Sequence, residues 1–190
     1  MARRPRLDKQ AVVQAAAALV NEEGVEALSL SRLAEKLGIQ TPSLYNHVEG
    51  MGGLRRELAL LNAQALSDCF VNAAIGKAGV EGIMAIAQAY RAYIKAAPGL
   101  YLASLRASGA QSPPDLALQQ AETRSVQVVL TVMASLGLHG EDAIHAVRGL
   151  RSVVHGFATL EVAGGFGMPL DCDESFRRLV QALVRGLQER

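Results

Sequence analysis

Ser31–Val48, SRLAEKLGIQTPSLYNHV, is the stretch whose reading decides the fold. Arg32, Leu33, Ala34, Lys36 and Leu37 suit a short helix with Leu33 and Leu37 on one face, four residues apart. Gly38 ends it, because glycine takes the positive φ that reverses the chain. Thr41 and Pro42 restart a helix over about 41–47: threonine is a good N-cap, and proline is pre-organised for the first helical position. Leu44 and Val48 lie one turn apart and can pack on Leu33 and Leu37, with Ala34 and Gly38 small where the two helices would cross. Ser43 and Asn46 are then turned outward, flanked by Pro42 and Tyr45. A short uncharged tip carrying hydroxyl, amide and phenol groups can read base edges in a major groove, as a helix-turn-helix does. An αα-hairpin inside an ordinary bundle has the same local spacing. The outward residues argue for the DNA reader, because they are not the Glu/Lys mix of a solvated face.

Arg3, Arg4 and Arg6 lie just upstream, with no acid in residues 1–7. Such an arm suits either salt-dependent attraction to phosphates or a solubilising terminus. Residues 1–60 hold eight Lys and Arg against seven Asp and Glu, and the whole chain has a net charge of +1. The basic weight therefore sits in the arm. The chain has 190 residues, half of them hydrophobic and only 4% aromatic, a composition that favours helices over sheets. No uncharged apolar run reaches 18 residues and no signal-peptide core opens the chain, so neither a membrane span nor export is expected. Cys69 and Cys172 have no metal spacing and read as free thiols of a cytoplasmic protein.

Asp8 can cap a first helix running to Glu23, with Val12, Ala15, Ala16, Leu19 and Val20 at helical spacing and Gly24 as its stop. Ser29 can cap the next. A three-helix N-terminal unit follows, about 8–23, 30–37 and 41–47. Beyond it the spacing predicts a long helix from about Gly53, another over Val80–Ala97 ended by Pro98-Gly99, and a short one over Leu100–Ala107. A loop to Pro114, a helix to about Leu136, a helix over Glu141–Val162 and a last helix capped by Asp173 complete the chain. The expected fold is all-α: residues 1–50 form a helix-turn-helix DNA-binding domain and residues 51–190 a helical ligand-binding and dimerisation domain.

Gly24-Val25-Glu26-Ala27-Leu28-Ser29-Leu30, followed by LAEKLGIQTPSLYNHV, resembles the TetR family of bacterial transcriptional regulators over roughly the first 60 residues. The resemblance implies base-edge positions for Gln40, Thr41, Pro42 and Ser43, and phosphate contacts from Tyr45, His47 and Ser29. Members often carry a Lys near the start of the fourth helix; here the run is Glu49-Gly50-Met51-Gly52-Gly53, with Arg55 and Arg56 as candidate substitutes. Ser31 stands where many carry Arg. The C-terminal part resembles a subgroup with a Trp-His-Gly signature, here Val154-His155-Gly156, preceded by Arg148-Gly149-Leu150-Arg151; Ala97-Pro98-Gly99-Leu100-Tyr101 also suits it.

The resemblance implies a homodimer acting on a double-stranded, palindromic DNA operator, with repression relieved by a small-molecule effector. It implies that the last two long helices form the dimer interface. Their stripes, Ile144, Val147, Leu150, Val154, Phe157 and Phe176, Leu179, Val180, Leu183, Val184, Leu187, serve equally as monomer core. Candidate effector residues are Tyr90, Tyr93, Tyr101, Leu105, Gln127, Thr131, Arg151, His155 and Phe157. Arg151 can pair with Glu161 or Glu122, or bind an anionic effector. No phosphate loop, nucleophile elbow or His-Glu-x-x-His is present, and His139, His145 and His155 lack metal spacing. No catalysis, metal or cofactor is expected. The alternative reading is a helical ligand-binding protein whose DNA affinity is weak or lost.

Overall fold

The computed structural model describes residues 7–107 and 115–189. Among the described residues nine α-helices follow one another and no strand occurs. They are α1 (Lys9–Glu23), α2 (Leu30–Leu37), α3 (Thr41–Leu44), α4 (Gly50–Ala74), α5 (Gly79–Ala96), α6 (Pro98–Ala107), α7 (Leu116–Ala134), α8 (Gly140–Val162) and α9 (Cys172–Gln188). The chain divides into two compact units, Met1–Asn62 with Gly99–Leu118 and Ala63–Pro98 with Gln119–Arg190. The all-α expectation holds.

In the first unit the early helices are set by their caps. Asp8 Oδ1 accepts from the Ala11 N–H at 2.8 Å, and Ser29 Oγ from the Arg32 N–H at 3.2 Å. Gly38 sits at φ 66° and closes α2, its own N–H and that of Ile39 donating back to the Glu35 and Ala34 carbonyls at 3.0 Å each. A Cβ at Gly38 would meet no atom within 4 Å. The glycine is therefore there for its backbone angle, not for close helix crossing. Leu33, Ala34, Leu44 and Val48 are buried together with Val12, Ala16, Leu19 and Val20 of α1.

The start of α3 is shifted from its expected register. Gln40, extended at φ −80° and ψ 140°, occupies the cap; Thr41 and Pro42 are the first two helical residues. The helix is also shorter than expected. After Leu44 the N–H groups of Tyr45, Asn46 and His47 return to carbonyls three residues back, a tighter 3₁₀-like turn that carries the chain to Val48.

Pro98 opens α6 instead of ending α5. The next residue meets α1 at backbone distance: a Cβ at Gly99 would lie 1.9 Å from the Val20 carbonyl oxygen. Beside it the Leu100 N–H donates to Asn21 Oδ1 at 2.9 Å. Only glycine admits this approach.

In the second unit α5 packs on α8 and α9, and α8 on α9. Ile83, Ile86, Tyr90, Ile94, Leu150, Val154, Phe157, Phe176, Val180 and Val184 fill this core. The stripes of α8 and α9 thus face mostly inward; Ile144 and Leu179 are the members left exposed. The cap of α9 is Asp171, which accepts from the Asp173 N–H at 2.8 Å, and not Asp173 itself.

Candidate nucleic-acid interface

The turn between α2 and α3 displays the predicted readers. Gln40, Pro42, Tyr45 and Asn46 are exposed, Tyr45 at 62%, while Thr41, Ser43 and His47 are half-buried. All seven fall on the segment that Leu44 and Val48 anchor from beneath. Ser29 is engaged as the cap of α2 and lies 3.2 Å from the Ser31 hydroxyl. Arg3, Arg4 and Arg6 lie outside the described residues.

The cations of α2 are already committed to α1. Arg32 grips Glu23 with Nε and Nη2, at 2.9 and 2.7 Å, and Glu35 with Nη1 at 2.7 Å. Lys36 pairs with Glu22. Two acids at the C-terminal end of α1 oppose its dipole, so these pairs relieve an unfavourable placement while tying α1 to α2. The Arg32 guanidinium holds the Glu23 carboxyl below its ordinary range, and Glu23 in turn holds the Arg32 proton more firmly.

At the start of α4 the two arginines part company. Arg56 is bound to Asp115 and Glu57, and Glu57 also takes Lys9 at 2.7 Å. Asp115 in addition accepts from the Leu118 N–H at 3.2 Å, capping α7. Arg55 is exposed, and no acid pairs with it among the described residues.

The candidate effector residues are distributed over both units. Tyr101 and Leu105 belong to the first; the remaining seven belong to the second. Tyr90 and Phe157 are buried, Tyr93 and His155 half-buried, and Gln127, Thr131 and Arg151 exposed. Tyr90 meets Phe70 edge-on at 5.2 Å. Burial pushes the Tyr93 phenol up.

Glu161, one of the partners the sequence left open for Arg151, is taken by another residue. Arg91 of α5, not Arg151, takes both of its oxygens at 2.7 Å, and Lys95 adds a contact at 2.6 Å. Arg91 also reaches Asp173 at 2.7 Å and lies over the Phe157 and Phe176 rings, 5.3 and 4.9 Å from their centroids. Arg91 lowers the Glu161 carboxyl below its ordinary range. A signal for Arg91 was present: it falls on the apolar stripe of Ile83, Ala87, Tyr90 and Ile94, where a cation must find an internal acid.

A helix, a glycine turn and a second short helix with polar tips form the reading head of a helix-turn-helix transcriptional regulator. Comparison with known proteins agrees. Residues 12–58 match the model of bacterial regulatory proteins of the tetR family, and residues 83–183 match the tetracyclin repressor-like C-terminal domain. An uncharacterised HTH-type transcriptional regulator of Mycobacterium tuberculosis is 32% identical over 100% of this chain and 86% of its own length. One from Bacillus subtilis is also 32% identical, over 98% of this chain and 96% of its own. A TetR variant from Acinetobacter baumannii, solved in complex with minocycline, shares the fold with a TM-score of 0.72 at 22% identity, covering 97% of this chain and 98% of its own. This chain belongs to the tetR family of transcriptional regulators. No helix among the described residues is long and apolar enough to cross a membrane.

Proposed function

We propose that the chain is a homodimeric repressor that binds a palindromic operator and is released by a small-molecule effector. The observation that carries the reading is the acid-free segment Gln40–His47, which exposes Gln40, Pro42, Tyr45 and Asn46 over the buried side chains of Leu44 and Val48. Gln40, Thr41, Pro42, Ser43 and Asn46 read base edges; Tyr45 and His47 hold phosphates, with Ser29 at the start of α2. Arg32 and Lys36 are spent on Glu23 and Glu22, so phosphate attraction falls to Arg55 and to the arm of Arg3, Arg4 and Arg6. The effector sits in the helical C-terminal part among Tyr90, Tyr93, His155 and Phe157; that a protein of this fold takes a small molecule is supported by the Acinetobacter structure in complex with minocycline. It acts through its higher affinity for a dimer whose heads no longer match successive major grooves, about 34 Å apart. Membership of the subgroup with a Trp-His-Gly signature is part of this reading; Val154-His155-Gly156 supports it, with a fully buried valine at the first position.

Selection of bound duplexes from a random pool, at two salt concentrations, tests this. A palindromic motif is expected. Tyr45→Ala weakens binding to every sequence, whereas Gln40→Ala or Ser43→Ala changes base preference by about 1–3 kcal/mol at one position. Arg55→Ala lowers the salt slope by about 1, and Arg56→Ala leaves it unchanged. No enrichment at either salt would replace the repressor with a ligand-binding protein that has lost its operator.

A further inference from the structure

Residues 1–60 hold seven acids, and all but one are engaged within the protein. Asp8 caps α1. Glu22 and Glu23 take Lys36 and Arg32, Glu35 takes Arg32 as well, and Glu57 takes Lys9 and Arg56. Glu26 is engaged too. Glu49 is the exception: it is exposed, and its carboxylate meets no cation and no hydrogen-bond donor among the described residues.

Glu49 stands where the reading segment passes into α4. It follows His47 by two residues, and its carbonyl accepts from the Gly53 N–H at 3.1 Å. A Cβ at Gly50 would lie 3.9 Å from Tyr45 Cε1, so the Tyr45 ring lies against the residue next to Glu49. Of the first four residues of α4, Gly50-Met51-Gly52-Gly53, only Met51 carries a side chain. No acid lies in that first turn, so Glu49 is the one carboxylate placed to complement the positive end of the helix.

We infer that Glu49 is an electrostatic brake on DNA binding: its carboxylate repels the phosphates that Tyr45 and His47 hold, and so sets how tightly the operator is bound. The inference rests on the repressor reading above, which gives Tyr45 and His47 their phosphates. An acid with a cation partner is neutralised inside the protein, whereas an unpaired one opposes the polyanion directly. The other acids of the head are of the first kind and Glu49 is of the second. Its repulsion is blind to sequence, so it lowers binding to every duplex alike and leaves base preference to Gln40 and Ser43. It is screened by salt, as is the attraction from Arg55, but with the opposite sign. A weaker grip also eases release: the effector then needs a smaller difference in affinity to shift the dimer off its operator.

Fluorescence anisotropy of the full chain, with its selected palindrome and with a random-sequence duplex of equal length, tests it at about 50 and 200 mM salt. Glu49→Gln is expected to tighten both complexes about fivefold at the lower salt and less at the higher. Glu49→Lys should tighten them further and steepen the salt slope by about one per reading head. Glu49→Asp keeps the charge and should bind like wild type. Glu49 is exposed, so these substitutions leave the fold intact, which far-UV circular dichroism verifies. Glu81→Gln, at an exposed acid in the first turn of α5, controls for net charge and should change nothing. A Glu49→Gln chain that binds no better than wild type overturns the inference, and so does equal tightening by Glu49→Asp or Glu81→Gln. A wild type that selects no palindrome breaks the repressor reading itself, and the random-sequence duplex then still decides for or against the brake.

Discussion

Arg32 and Arg91 each hold a glutamate through two parallel N–H···O bonds, yet their surroundings are opposite. Arg32 is 42% exposed and its partner Glu23 is nine residues away. Arg91 is 10% exposed and its partner Glu161 is seventy residues away. The first pair fastens two consecutive helices whose ends Gly24 and Ser29 already set. The second joins α5 to α8, and Asp173 extends it to the start of α9. An exposed pair contributes little because water competes for both partners. A buried one contributes little net of desolvation, but losing one partner strands the other's charge. The ends of the DNA-reading helices are thus set by local backbone chemistry over a shared apolar core, whereas the Arg91 cluster ties three helices of the second unit across long stretches of sequence.

Gly99 is where that contrast is most exposed to failure, because it is a long-range contact of the first unit. Gly99→Ala drives a Cβ into the Val20 carbonyl carbon and oxygen, at 2.3 and 1.9 Å, and backbone cannot yield as a side chain can. The expected loss is about 4 kcal/mol, read by urea unfolding. Gly82→Ala in the second unit is the control: its Cβ would meet Val132 Cγ1 at 2.6 Å, a side-chain atom, and should cost about 1–2 kcal/mol. Equal losses would mean that α6 can shift off α1.

The two arginines give the next largest difference. Arg91→Ala is expected to destabilise by about 3 kcal/mol, whereas Arg32→Ala should leave the unfolding midpoint where it was. The pH dependence distinguishes them further. The folded Glu161 carboxyl lies below its ordinary range, held there by Arg91. Its contribution is therefore complete above the usual carboxylate range and is lost as pH falls through the folded value. The stability gap between wild type and Glu161→Gln should be widest near neutrality and shrink as acid is added. A gap independent of pH would show that Glu161 acts by packing and not by charge.

This contrast also explains what could be read from the chain. Asp8, Ser29 and Gly38 were legible because a cap acts on backbone three or four residues away. The two misplaced caps are failures of register over the same short range. Thr41 and Gln40 are neighbours, and the extended backbone of Gln40 decides between them; Asp171 and Asp173 are two apart and both could accept, but Asp171 accepts from the other's N–H. The partner of Glu161 was not legible from local spacing. Arg151 shares its helix, but Arg91 reaches it only because α5 crosses α8, and no window of sequence contains that crossing. The inward turn of the α8 and α9 stripes is of the same kind: core and dimer face obey one periodicity, and only packing tells them apart.

The smallest effect tests whether the second unit pairs its buried polar groups as completely as the Arg91 cluster suggests. Ser67 of α4 is fully buried and its hydroxyl has no hydrogen-bond partner among the described residues. An unpaired buried hydroxyl costs stability, and alanine is the better helix former, so Ser67→Ala should stabilise the ligand-free chain by about 1 kcal/mol. A destabilised variant would mean that the hydroxyl is satisfied in solution, by water or by a rearranged neighbour.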